Sequence, residues 1–150
     1  MSGRYPTPPS TAVSVEIEVP FHDVDALNVV WHGHYCKYLE IARTALLRAR
    51  RLDAADLIAF GYRFMVAETR LRHLLALRYG DRVRVTAWPV EIENRITIQY
   101  DLTDVASGRR CAQGTTVLVT TTGEGELCMW TPRPILDRMA GALPATGGSP

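Results

Sequence analysis

The stretch Phe21-His22-Asp23-Val24-Asp25-Ala26-Leu27-Asn28-Val29-Val30-Trp31-His32-Gly33-His34-Tyr35 decides how this chain is read. It lies between an alternating segment and a long amphipathic one, where a tight turn would be enough. A connection of roughly a dozen residues inside a compact domain is uncommon, and more often functional than decorative. This one holds two carboxylates, three of the four histidines and a glycine at an expected helix entrance. The reading takes the loop as the chemical site and the rest of the chain as its wall, floor and partner surface.

Upstream, Val13 to Val19 alternates apolar and polar, the period of a half-buried strand, and Pro20 ends it because it cannot donate to a ladder. Downstream, Tyr35, Tyr38, Leu39, Ala42, Ala45, Leu46 and Ala49 recur at helical spacing, with Lys37, Glu40, Arg43 and Arg48 largely on other faces. Small residues at 42, 45 and 49 would let this helix approach a sheet closely. Asp53 is placed to cap a short second helix, Ala54 to Phe60, stopped by Gly61. The remainder reads as strands: Tyr62 to Leu75, then Val83 to Ala87 with Pro89 disturbing the far end, Arg95 to Leu102, Arg109 to Thr121, and a short Leu127 to Trp130. Turns fall at Gly80-Asp81, Ser107-Gly108 and Gly123 to Gly125. Pro132 and Pro134 stop the sheet, and a last turn of helix is expected over Ile135 to Met139. This predicts an α+β fold in which one long helix covers an antiparallel sheet of about five to six strands. Residues 1–12 are expected to be a flexible leader, 13–138 the domain, and 139–150 a disordered tail. One helix cannot cover such a sheet, so edges remain and self-association is expected.

The totals narrow the function classes. A length of 150 residues suits one domain with a real core. The net charge of +1, with no basic run beyond Arg48 to Arg51, argues against nucleic acid or an anionic membrane as partner. Nothing approaches the ~18 consecutive apolar residues of a membrane span, and no secretory signal is visible. Cys36, Cys111 and Cys128 are widely spaced without a metal pattern, as expected of reduced cytoplasmic thiols.

Within the loop, Asp23 and Asp25 form an Asp-x-Asp pair without the glycine and acidic positions of a calcium loop, so no metal is expected. Asp25 lies beside the apolar run Ala26-Leu27 and Val29 to Trp31, and partial desolvation makes a carboxylate more reactive as nucleophile or general base. The alternative is that Asp25 only ties down loop backbone in an Asx-turn. His32 precedes Gly33 at the helix entrance, where the amides of Gly33 and His34 would be free donors for a developing oxyanion and an imidazole could polarise a carbonyl. His34 is expected on the helix surface and His22 at the strand end; His73 lies among the strands with no visible partner. A Gly-x-Ser-x-Gly elbow, a phosphate loop and a dinucleotide fingerprint are all missing, and Cys36 lacks the setting of a catalytic thiolate.

The loop, followed by Tyr38-Leu39-Glu40-Ile41-Ala42-Arg43 and continued through Arg78-Tyr79-Gly80-Asp81 and Ile96-Thr97-Ile98-Gln99-Tyr100, closely resembles the hotdog-fold acyl-CoA thioesterases. The nearest branch is the 4-hydroxybenzoyl-CoA thioesterase type, including enzymes associated with the Tol-Pal system. The resemblance implies a sheet wrapped around the long helix, a homodimer (or homotetramer) whose sheets join, and a site at the subunit boundary. It implies Asp25 as the essential carboxylate and His32 as its histidine, hydrolysis of an acyl-CoA or acyl-carrier-protein thioester to acid and thiol, and no cofactor. Trp31, Tyr35, Tyr38 and Leu39 would line the acyl pocket, although such a stripe is equally a core pattern. Relatives commonly carry Gly at the position of Asn28, a residue that tolerates the left-handed conformation. The rival readings are a hotdog dehydratase or hydratase acting on 3-hydroxyacyl thioesters, and a non-catalytic acyl-thioester-binding module.

Overall fold

The computed structural model describes residues 7–143. Strand β1 (Val13–Glu18) leads into the loop, and helix α1 (Tyr35–Ala49) and helix α2 (Ala54–Phe60) follow. Strands β2 (Tyr62–His73), β3 (Arg82–Glu91), β4 (Ile96–Asp104) and β5 (Arg110–Thr122) come next, and helix α3 (Arg133–Ala140) closes the described chain. All five strands form one antiparallel sheet in the order β1-β3-β4-β5-β2, so β1 and β2 are its edges.

Alternation decides which face is covered. Val83, Val85 and Ala87 of β3 and Ile96, Ile98, Tyr100 and Leu102 of β4 are buried, and the register sets Ile98 against Thr116 and Tyr100 against Gly114 of β5. Tyr35, Tyr38, Leu39, Ala42 and Leu46 of α1 join them in one apolar cluster. Each fully buried Leu or Ile there contributes about 1.5–3 kcal/mol relative to its exposed state. The small-residue stripe works through Ala42 alone, since Ala45 is half-buried and Ala49, where the helix stops, is exposed. The close approach is made from the sheet instead. A Cβ on Gly114 would sit 3.0 Å from the Arg70 carbonyl and 3.3 Å from Leu39 Cδ1.

Local signals account for most boundaries. Asp53 accepts from the Ala54 amide while Asp56 accepts from the Asp53 amide, and Gly61 ends α2 at φ +86°. Pro89 does not stop β3, which runs on to Glu91. Arg82 turns its carbonyl to Val105 on the β4 side, so alternation puts the Pro89 nitrogen on the β1 side. There β1 has already ended at the Val13–Ala87 pair, and no ladder bond is lost.

Two expectations are corrected. The short strand Leu127 to Trp130 does not form, and only a single bridge, Thr121 to Leu127, is made. The Thr122 and Cys128 amides donate to Glu126 and Thr120 on either side of the bridge, and the chain then turns away, where the Thr131 amide donates to Glu93 at 2.6 Å, and enters α3. The sheet therefore has five strands. The terminal helix is longer than one turn, and Met139 and Ala142 are wholly buried. The Thr11 hydroxyl donates to the Ala142 carbonyl at 3.0 Å, so the described parts of the expected leader and tail meet. The expected tail beyond Leu143 and the leader before Thr7 lie outside the described residues.

Candidate active site

The loop is a miniature hairpin laid against the start of α1. Val24 bridges Val30, Asp25 exchanges backbone hydrogen bonds with Val29 and Asn28, and Asn28 turns the chain at φ +63°. The far limb is tied down when the Val30 amide donates to Leu77 at 2.8 Å. The Leu77 segment is held in turn, because Gly80 donates to Val19 and Val19 donates to Asp81. The Arg78 to Asp81 turn is thus the clamp between loop and β1.

The two aspartates have different surroundings. Asp23 is 0% exposed, and its Oδ1 accepts from Lys37 Nζ at 2.6 Å with His22 Nδ1 3.1 Å away. Its Oδ2 accepts from the Tyr38 hydroxyl at 2.6 Å. Burial pushes the Asp23 carboxyl up, but hydrogen bonds from Lys37 and Tyr38 outweigh it and hold it below the usual carboxylate range. Burial, with Asp23 beside it, drives the Tyr38 hydroxyl far above the ordinary phenol value. Asp23 therefore pins the loop to α1 and takes no part in the cleft.

Asp25 is exposed, and its Oδ1 accepts from the Leu27 amide at 2.8 Å, so the Asx-turn alternative is real. It does not consume the carboxylate. Oδ2 has no hydrogen-bond partner among the described residues, and Asp25 lines a cleft of about 330 Å³ with Val29, Val30, His32, Tyr35 and His73. A larger cleft, about 490 Å³, lies between Val90–Asn94 and α3 and contains no loop residue.

At the helix entrance a 3-10 turn, His32–His34, precedes α1. The His34 amide donates to the Trp31 carbonyl at 2.9 Å, so of the two expected oxyanion donors it is already engaged. The Gly33 amide has no partner among the described residues. Glycine leaves room there for the Trp31 ring: a Cβ on Gly33 would overlap the indole as it lies. His34 packs against the edge of the same ring, 5.4 Å between centroids, and turns Nδ1 to within 3.8 Å of Asp23.

Of the expected pocket residues, only Tyr35 lines the cleft; Trp31 folds over Gly33. Tyr38 and Leu39 are core, correcting the pocket expectation, because the helical period that exposes Tyr35 to the cleft turns Tyr38 toward Asp23 and Leu39 toward Gly114. His73, which has no visible partner in the sequence, belongs to the cleft as well. It ends β2 far from the loop in sequence, and only strand pairing with β5 carries it to the cleft, where Tyr35 meets it edge-on at 4.5 Å. Among the described residues no group of three or more His, Cys, Asp and Glu side chains is arranged to hold a metal ion.

A sheet covered by one long helix, with a loop that delivers a carboxylate and an imidazole to the start of that helix, is the hotdog architecture. A family model for the Thioesterase-like superfamily matches residues 19–138, and the chain belongs to that superfamily. Among its relatives is sll0410 of Synechocystis sp., a protein whose esterase name is itself provisional. It is 33% identical over 106 residues, which cover 70% of this chain and 64% of that one, so the match spans under two thirds of this relative's length. A thioesterase of Thermus thermophilus, solved with coenzyme A and zinc, superposes with a TM-score of 0.74 at 27% identity, covering 87% of this chain and 92% of that one. Slr0204 of Synechocystis, a 1,4-dihydroxy-2-naphthoyl-CoA thioesterase, superposes with a TM-score of 0.77 over 86% of this chain and 96% of its own, at 18% identity.

Proposed function

We propose that this protein hydrolyses an acyl thioester, carried on coenzyme A or on an acyl carrier protein, to a free acid and a thiol. The observation that carries the reading is the cleft itself, which Asp25, with one carboxylate oxygen open, lines together with Tyr35 and with His32, the residue next in sequence to Gly33 at the helix entrance. The thioester carbonyl would accept from the Gly33 amide, where the positive end of the helix favours an oxyanion. Either Asp25 takes a proton from a water that attacks the carbonyl carbon, or Asp25 itself attacks and a water then hydrolyses the resulting mixed anhydride. In both routes the carbon–sulfur bond breaks and the sulfur leaves as thiolate, which takes a proton from solvent to give the thiol. His32 orients or polarises the thioester. Superfamily membership supports thioester chemistry, and the coenzyme A held by the Thermus relative supports coenzyme A as carrier.

The working unit is a homodimer. Asp25 is exposed on one chain, so the dry surroundings that favour such chemistry come from elsewhere. Strand β2 is a 12-residue edge with Met65 and Val66 53% and 46% exposed, a surface suited to a second copy. Among the strand arginines, Arg70, Arg95 and Arg110 face Glu68, Glu91 and Asp101, while Arg72 has no such partner among the described residues and is open to the phosphates of coenzyme A. Free cysteines accord with a cytoplasmic protein.

Thiol release over a panel of acyl-CoA and acyl-carrier-protein thioesters tests the reading. Cleavage of at least one, and its loss by about 10²-fold or more in a folded Asp25→Ala variant, is the expected result. Turnover that survives Asp25→Ala sinks the mechanism, and a panel with no cleaved member sinks the activity.

A further inference from the structure

His34 stands at the start of α1, yet its side chain is not spent on the helix, to which it makes no capping hydrogen bond. It turns to two other groups. Nδ1 comes within 3.8 Å of Asp23, the wholly buried carboxylate that Lys37 and Tyr38 already fix at 2.6 Å each. The ring meets Trp31 edge-on, 5.4 Å between centroids at 80°, the favoured geometry for two rings with negative faces and positive edges. Trp31 in turn touches both groups that would hold the thioester carbonyl. Its indole lies on Gly33, where a Cβ would overlap it, and 5.1 Å from the His32 ring at a tilt of 50°. Trp31 is 50% exposed, so packing against the core leaves it room to swing. His34, tied to a carboxylate that is held from two sides, limits that swing.

We propose that His34 is a positioning residue: anchored at Asp23, its imidazole seats the Trp31 indole against His32 and Gly33, and so places the two groups that would receive the thioester carbonyl. It acts through Trp31 and touches no part of the substrate. The reason it matters is geometric, since a displacement of about 1 Å at groups that align a reacting carbonyl costs on the order of 10²-fold in rate. A purely structural His34, helping Lys37 to neutralise Asp23, would change stability and leave turnover alone. This inference rests on the thioesterase reading and deepens it.

The experiment is a double-mutant cycle on His34→Ala and Trp31→Ala, with an acyl-CoA that the native protein cleaves. His34→Ala is expected to lower kcat by about tenfold while KM changes by less than about twofold. In the Trp31→Ala background the same substitution is expected to change kcat by less than about twofold, because the indole it acts on is gone. His34→Phe, which keeps a ring edge for the indole, is expected to retain part of kcat. Tryptophan emission reads the seat without substrate: His34→Ala is expected to shift it, and the shift to vanish when Trp31 is replaced. His34→Asn, a residue that suits a helix start, reads the same quantities if the alanine variant does not fold. Equal losses of kcat with and without the indole overturn the proposal, as does an emission that His34→Ala leaves unchanged. A lowered urea midpoint with kcat intact overturns it too and makes His34 a partner of Asp23 alone. In all of these the native protein still cleaves thioester, which separates this failure from that of the thioesterase reading, where no panel member is cleaved at all.

Discussion

Asp23 and Asp25 stand two positions apart on one loop, one wholly buried and the other exposed. The buried one is held by Lys37 and Tyr38 and the exposed one by a single backbone amide. Replacing Asp23 with Asn leaves the Tyr38 hydroxyl and the Lys37 ammonium without their anion. Lys37 is 44% exposed and turns to water, so the expected cost is about 2–3 kcal/mol, below that of breaking a fully buried pair. The urea midpoint at pH 7 measures it. The pH dependence follows from the direction of the shift. The Asp23 carboxyl is held below its unfolded value near 3.8, so its contribution is complete above that pH and is lost as pH falls through the lower folded value. Urea midpoints taken from pH 6 down to pH 3 should fall more steeply for the native chain than for Asp23→Asn. Parallel curves would mean that the ion pair adds nothing.

At the scale of elements, two glycines set how α1 meets its surroundings. Gly33 admits the Trp31 ring over the helix entrance, and Gly114 admits Leu39 onto the sheet. Trp31 is half exposed and can swing aside, so Gly33→Ala should leave the melting temperature nearly unchanged while moving the indole. The expected result is a shifted tryptophan emission and a kcat/KM lower by about tenfold or more, since a small displacement at the amide proposed to hold the oxyanion is costly. Gly114 has no such freedom, because backbone and packed side chains surround it. Gly114→Val should destabilise by about 1–3 kcal/mol through overpacking, read from the denaturation midpoint. If the two substitutions behave alike, the distinction between a movable and a fixed neighbour is wrong.

At the scale of the molecule, β2 is the sheet edge that the proposed dimer would cover. The Leu74 amide donates to Cys111, so alternation back along the strand turns the Thr69 amide away from β5 toward the open edge. Thr69→Pro removes an edge donor with little cost to the internal ladder. Analytical ultracentrifugation is expected to show a dimer for the native chain and a shift toward monomer for this variant, with its circular dichroism retained. A monomeric native chain, or an active monomeric variant, would place the whole site on one subunit.

The chain's periods determined the architecture by themselves. Odd-position burial in Val13 to Glu18, the helical stripe from Tyr35 to Leu46 and the Asp53–Gly61 caps are local codes, and each is satisfied where it occurs. The loop was legible for the same reason: Asp25, His32 and Gly33 are near neighbours in sequence, and the turn between them needs only the left-handed Asn28. What long-range pairing decides was not legible. Tyr38 and Leu39 share a stripe with Tyr35, and only the positions of Asp23 and Gly114 assign them to the core. The failed strand at Leu127 depends on where the chain must leave for α3. His73 carries no local mark, because its meaning comes from the β2–β5 register that brings it across the cleft from Asp25. Local sequence sets dihedral angles and faces, whereas contacts between residues distant in the chain exist only once the sheet has closed around its helix.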